Sequence, residues 1–425
     1  MTATTTITPD QQRTVRRAVV ASSMGNALEW FDIIVYASFA VVISRLFFPE
    51  SDGVTGLLFT FGAFATSYLI RPLGALVLGS YADRSGRKNA LTLTIALMTI
   101  GTAIMAFAPT AATIGPAAGL IIVASRLLQG FSAGGEFGTA TTFLVENAPH
   151  RKAFYGSWQV ATQGAAMFLA SAFGFGLNVF LSADQLDSWG WRVPFIFGLL
   201  VGPVGLYIRL RMDETPEFVQ AERVESPVLQ TITQHPGRVL SAAAAVGLAS
   251  ISVYLILYMP TFAVTNLELP RYAGYLGGII SGLVSLIGVP FVGKLADRVG
   301  PVRIMLAAAV VALVLALPLF LILVANPSVL VLTLVQVVLG ILMALYFGPV
   351  PALLTMMYPT AIRTTGLSIS YNLGVTVFGG FAPIVLTWLI SASGSLLSPS
   401  FYFMAVAVVS IVGLLVIRSR GYVDQ

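Results

Sequence analysis

A chain of 425 residues that is 57% hydrophobic and only 10% charged is not a water-soluble domain, since such domains carry about 25% charged residues. Its mean hydropathy of +0.88 makes lipid the main solvent, and the net charge of +5 then orients the chain instead of marking a nucleic-acid surface. With no cysteine and only His150 and His235, disulfides, thiolate chemistry and a histidine-rich catalytic or metal centre are excluded.

Apolar runs long enough to cross about 30 Å of hydrocarbon at about 1.5 Å per residue recur at 17–44, 54–82, 88–108, 114–147, 151–181, 190–212, 236–266, 272–296, 301–324, 328–357, 362–391 and 398–418. The runs are continuous, without the period-two alternation of barrel strands, so they predict helices. The expected fold is an all-α membrane protein of twelve transmembrane helices. Arg16, Arg17, Arg84, Arg87, Lys88, Arg151, Lys152, Arg238, Lys294, Arg303, Arg363 and Arg418 fall on one side of this layout; Arg45, Arg192 and Arg271 fall on the other. That asymmetry is the positive-inside pattern, and it places both termini in the cytoplasm.

Taken in order, the first run carries Asn26, Glu29, Asp32 and Tyr36, the second Arg71, and the fourth Arg126 and Glu136. Ionisable groups inside a span cost several kcal/mol, so each is a functional candidate. Arg126 lies deep in helix 4 and Glu29 reaches a similar depth from the opposite side, which permits Arg126 to pair with Asp32 or with Glu29. Gln159 and Gln163 in helix 5, and Tyr254 and Tyr258 in helix 7, are spaced by four, so each pair shares a helix face. Tyr346 in helix 10 and Asn372 in helix 11 are further polar candidates for a central cavity.

Between the second and third runs stands Gly79-Ser-Tyr-Ala-Asp83-Arg84-Ser-Gly86-Arg87-Lys88, and between the eighth and ninth Gly293-Lys-Leu-Ala-Asp297-Arg298-Val-Gly300-Pro301. Gly79, Asp83, Arg84 and Gly86 recur as Gly293, Asp297, Arg298 and Gly300 at a constant offset of 214, and Gly130, Pro149 and Gly156 recur as Gly340, Pro359 and Gly366 at an offset of 210. The chain is therefore read as two homologous six-helix bundles, 1–212 and 236–425, joined by a hydrophilic cytoplasmic linker at 213–235. Within each loop the glycines allow a tight turn and close helix contact, while the aspartate can pair with a neighbouring base or a helix N-terminus. The loops read as a cytoplasmic gate of Gly79, Asp83, Arg84, Gly86, Arg87, Asp297 and Arg298. At the same offset Pro301 stands where the first copy has Arg87.

These loops resemble the signature of the major facilitator superfamily. More narrowly, Gly25-Asn26-Ala-Leu-Glu29-Trp30-Phe31-Asp32, Arg71-Pro72-Leu-Gly74, Arg126-Leu-Leu-Gln129-Gly130-Phe-Ser-Ala-Gly134-Gly135-Glu136 and Trp189-Gly190-Trp191-Arg192 resemble the metabolite:proton symporter family, with the nearest likeness to citrate and related tri- and dicarboxylate carriers. The resemblance implies a transporter, not an enzyme, with alternating access to a midplane site. It implies a small organic anion as substrate, a proton as coupling ion with no other cofactor, a monomer, and the bacterial inner membrane with its lipid as the setting. Carriers of 2-oxoglutarate or shikimate share many of the motifs, a symporter of zwitterionic proline or betaine is a further alternative, and an exporter on the same fold is the remaining one.

On this reading Arg126 and Arg71, with the polar candidates above, bind the substrate, while Asp32, Glu29 and Glu136 are the proton-coupling candidates. A carboxylate substrate takes the Arg126 guanidinium as a bidentate partner. The displaced Asp32, left in a dry site without its counter-charge, is then neutralised by a proton.

Overall fold

A long apolar run has one local solution in lipid, because only a helix satisfies every backbone amide and carbonyl within its own segment. The computed structural model describes residues 26–49, 53–85, 87–134, 137–138, 141–142, 145, 151–210, 227–359 and 362–423. Among them no strand occurs. The helices are α1 (Asn26–Ser38 and Ala40–Phe47, bent by 67°), α2 (Gly53–Leu69 and Arg71–Ser85), α3 (Arg87–Phe107), α4 (Ala117–Ala133), α5 (Lys152–Phe180), α6 (Val193–Leu210), α7 (Pro236–Thr265), α8 (Ala273–Val299), α9 (Pro301–Ala325), α10 (Val329–Phe347 and Val350–Met356), α11 (Arg363–Val375 and Ala382–Ser393) and α12 (Ser398–Ser419).

Among the described residues nine helices are long and apolar enough to cross a membrane, and bent α1 makes ten. The shorter apolar stretches Thr92–Phe107 in α3 and Ala117–Ala133 in α4 bring the spans to the expected twelve. Helix α4 is less apolar because Ser125, Arg126, Gln129 and Ser132 are all buried on it. Residues 211–226, most of the expected linker, lie outside the described residues, and Pro227–Gln234 is a short helix leading into α7.

Several breaks have local causes. In α11, Thr376–Gly380 forms a π-helical turn, with the Phe381 amide donating to the Thr376 carbonyl at 3.3 Å. Two glycines followed by Pro383, which has no amide to donate, weaken the α-helical ladder at this point. In α10 the break falls at Gly348 and Pro349. At the bend of α1 the Ser38 carbonyl accepts a hydrogen bond of 2.8 Å from Tyr275 of α8.

Helix α7 is the hub. In its most apolar stretch 89% of residues are buried, against 33% in α9, so α7 runs through the centre while α9 turns most of its surface outward. Exposed Leu120, Phe180, Phe291, Val314 and Leu330 form the kind of apolar surface that a soluble monomer avoids and that hydrocarbon accepts.

The two bundles meet along two seams, α5 with α8 and α2 with α11, which the internal repeat relates to each other. The α5–α8 seam is close along its length. A Cβ on Gly164 would lie 2.6 Å from the Leu286 amide nitrogen, and one on Gly282 2.5 Å from that of Phe168. Small residues let backbones approach in this way where no hydrophobic effect drives helices together. Gly164→Val should therefore force the helices apart and cost about 1–3 kcal/mol, read as a lowered Tm in detergent. Gly176→Ala, with nothing within 4 Å of the added methyl, should leave Tm unchanged or slightly raised. Equal behaviour of the two variants would contradict the seam.

Candidate functional site: two buried ion pairs beside a tyrosine contact

Glu29 and Asp32 stand three residues apart on one face of α1, and each meets a different arginine. Arg126 Nη2 of α4 lies 2.8 Å from Asp32 Oδ2, and Arg71 Nη2, at the start of the second segment of α2, lies 3.0 Å from Glu29 Oε1. All four side chains are buried. The sequence allowed Arg126 either carboxylate; the structure gives it Asp32 and gives Glu29 to Arg71.

Neutral groups complete the Asp32 side. Thr102 of α3 donates to Asp32 Oδ1 at 3.1 Å, and Gln129 Nε2 donates to Thr102 Oγ1 at 3.0 Å. Each guanidinium also lies over an aromatic ring, Arg126 at 4.5 Å from the Tyr36 centroid and Arg71 at 4.3 Å from that of Tyr68. These are favourable cation–π placements. The Nε of both arginines has no hydrogen-bond partner.

Next to Arg71 the two bundles touch. The Tyr68 hydroxyl of α2 hydrogen-bonds to that of Tyr254 on α7, and the two rings pack against Gly380 and Gly379 of the π-helical turn, where a Cβ would collide with them. One turn further along α7, Tyr258 accepts from Thr387 Oγ1 at 3.1 Å and lines a cavity of ≈ 600 Å³. Arg45, Asn266 and Ser391 line this vestibule too, at the end of the bundle that holds the α1–α2 loop. Arg45 is paired with Asp187 at 2.5 Å. In the centre a much smaller cavity of ≈ 10 Å³, about one water, is lined by Trp30, Gln163, Met167, Val253, Ser285 and Met343 among others.

Several polar candidates are committed to protein partners. Asn26 Nδ2 donates to the Gln159 carbonyl at 2.9 Å and to Thr162 Oγ1 at 2.8 Å, tying α1 to α5. The Gln159 side chain accepts from Thr141. Tyr36 donates to the Thr60 carbonyl at 2.9 Å, Tyr346 to that of Ala245 at 2.7 Å, and Asn372 Nδ2 to that of Gly134 at 3.1 Å. Of the sequence-read amides only Gln163 is buried with both its nitrogen and its oxygen unpartnered. Sequence reasoning missed Tyr68, Thr102, Gln129, Ser285 and Tyr371. Tyr68, three residues before Arg71 on the same helix face, was the one with a readable spacing signal.

At the opposite end Asp297 accepts from the first amides of α5, Ala153 N at 2.8 Å and Phe154 N at 3.1 Å. A carboxylate there satisfies otherwise unpaired donors and complements the helix dipole, so the second loop of one bundle caps a helix of the other. Gly300 at φ +95° makes the turn, and Pro301 opens α9 at a position where its missing amide costs nothing. Arg298 is exposed. Gly86 and Glu136 lie outside the described residues, as do the side chains at Gly79, Asp83, Arg84 and Arg87.

Comparison with known proteins agrees with this arrangement. The family model for the Major Facilitator Superfamily matches residues 25–370 and 283–422. The chain is 35% identical to a citrate-proton symporter of Klebsiella pneumoniae over 410 residues, 96% of this chain and 92% of that one. It is 33% identical to the proline/betaine transporter of Escherichia coli (strain K12) over 414 residues, 94% of this chain and 82% of that one. A solved structure of the proton:xylose symporter XylE superposes with a TM-score of 0.77 at 15% identity, covering 96% of both chains, a likeness of fold alone. Twelve spans in two repeated bundles, the paired loops and these matches make the chain a transporter, not an enzyme, and a member of the major facilitator superfamily.

Proposed function

We propose that the protein is a proton-coupled symporter that imports a small organic carboxylate, citrate or a related tri- or dicarboxylate, by alternating access between the bundles 1–212 and 236–425 joined by the linker 213–235. The observation that carries this reading is the buried Arg126–Asp32 pair. A guanidinium neutralised only by a titratable carboxylate is a ready exchange site. The substrate carboxylate replaces Asp32 at Arg126, and Asp32 takes up a proton because an unpaired charge is costly in a dry site. Each ligand then strengthens the binding of the other by the same factor, so an inward proton gradient drives anion uptake. The citrate-proton symporter relative at 35% identity supports the choice of substrate class.

On this reading the loops at 79–88 and 293–303 face the cytoplasm of a bacterial cell, the protein works as a monomer in the inner membrane, and the ≈ 600 Å³ vestibule faces outward. The Asp297 cap on α5 holds the cytoplasmic side shut until the bundles rock. A zwitterion is the second reading, favoured by the proline/betaine relative at 33% identity; Arg71 would then serve its carboxylate.

Labelled citrate offered to proteoliposomes with an imposed inward proton gradient should be concentrated, and a protonophore should abolish the gradient of label. Concentration of proline in place of citrate would move the assignment to the zwitterion. In the same assay Arg126→Ala should abolish binding, whereas Asp32→Asn should bind and exchange substrate yet lose concentration against a gradient. Normal concentration by Asp32→Asn would hand the proton to Glu29 or Glu136.

The pairing itself is tested by double-mutant cycles on stability. Glu29→Gln or Arg71→Gln alone should each cost about 3–5 kcal/mol by leaving a buried charge unpaired, and the double variant should recover much of that. Glu29→Gln combined with Arg126→Gln should be near additive. Strong coupling across the two pairs would show that they act as one network.

A further inference from the structure

Three buried polar side chains that neither ion pair uses lie near the centre of the molecule, one from each of α5, α8 and α11, with Gln163 of α5 beside each of the other two. Gln163 has neither amide atom hydrogen-bonded, and the Ser285 and Tyr371 hydroxyls also lack partners. Their exposures are 5%, 1% and 1%. An unmade hydrogen bond on a buried group is costly, and native structures hold few, so a cluster of them is a place where a ligand group can supply the missing partner.

The placement is constrained from several sides. Gln163 and Ser285 line the same central cavity. A Cβ on Gly164 would lie 2.6 Å from Ser285 Cβ, so the absence of that Cβ lets Ser285 lie close against α5 beside Gln163. The Tyr371 hydroxyl lies beside Gln163, and its ring is held by stacking on Phe137 at 3.4 Å between centroids. Because α5 belongs to the first bundle while α8 and α11 belong to the second, a group bound here touches both.

We infer that Gln163, Ser285 and Tyr371 form a subsite for a hydroxyl group of the substrate, so that the transporter favours a hydroxycarboxylate over its deoxy analogue. The inference rests on the carboxylate reading above and adds to it the feature that selects among carboxylates. All three side chains are neutral, which suits an uncharged polar group; the anionic groups belong to the arginines. Whichever way the Gln163 amide is turned, one end needs a donor and the other an acceptor. A hydroxyl offers both at once, whereas a carboxylate only accepts and leaves the amide oxygen to a hydroxyl of the site itself. Size agrees as well, because ≈ 10 Å³ admits one oxygen-sized group. The carbon skeleton itself needs α5 and α8 to part.

The test uses the whole transporter in proteoliposomes with an inward proton gradient, offered labelled citrate or labelled malate. Inhibition constants are compared for unlabelled citrate against propane-1,2,3-tricarboxylate, and for malate against succinate. In the wild type each deoxy acid should inhibit at least about tenfold more weakly than its hydroxylated partner, since a site with buried groups awaiting a hydroxyl rejects the analogue lacking it. Ser285→Ala and Tyr371→Phe, which remove one oxygen each with little change of shape, should narrow that ratio severalfold, as should Gln163→Met. A ratio is independent of the amount of folded protein, so a merely structural role would leave it unmoved. Equal inhibition by hydroxylated and deoxy acids in a wild-type preparation that concentrates citrate overturns the subsite alone, and so does a full ratio in all three variants. Failure to concentrate citrate or malate at all overturns the carboxylate reading and this inference with it.

Discussion

An ionised side chain within a membrane bundle is tolerable only beside its counter-charge, and α1 carries two carboxylates a single turn apart. Much of the first bundle is arranged around that demand. Helix α4 gives up apolar character to bring Arg126 to Asp32, with Thr102 and Gln129 adding neutral hydrogen bonds. Helix α2 is interrupted next to Arg71, which reaches Glu29. The aromatic rings of Tyr36 and Tyr68 under the guanidiniums supply electron-rich faces where water is scarce. On the proposed reading such an arrangement is stable while intact and responsive once a competing anion arrives, and a coupled carrier needs both properties.

The two seams between the bundles differ in a way that fits a rocking motion. Along α5 and α8 the backbones meet through small residues, and the seam ends in the Asp297 cap on the α5 N-terminus. Along α2 and α11 the closure depends on the Tyr68–Tyr254 contact and the glycines of the π-helical turn, with the vestibule beyond it. A few hydrogen bonds and ring contacts are easier to part than a continuous backbone seam. The tyrosine contact is thus the weaker barrier between the vestibule and the central residues.

Fold class was legible because lipid leaves the backbone few options: long apolar runs announced twelve helices, and the repeated loop announced two bundles. The Asp32–Arg126 pair was within reach for a similar reason, since buried charges must meet and the sequence contains few of them. The rest depended on proximity that spacing does not encode. Nothing in the sequence assigns Glu29 to Arg71 in preference to Arg126. Tyr346, Asn26 and Asn372 look like cavity residues on a helical wheel, yet their polar atoms tie helices together. Ser285 and Tyr371 looked ordinary until their missing partners became visible in three dimensions. The π-helical turn of α11 shifts the helical register after Thr376, so a uniform 3.6-residue period could not predict which residues face inward beyond it.

The central claim is that anion binding at Arg126 is linked to protonation of Asp32. Its most direct measurement is proton uptake on adding citrate to the purified protein in weakly buffered detergent solution, followed with a pH indicator for wild type and Asp32→Asn. The account predicts that the wild type takes up protons in proportion to the citrate bound, while Asp32→Asn binds citrate without that uptake. Citrate binding by the wild type with no proton taken up, or undiminished uptake in Asp32→Asn, would contradict it.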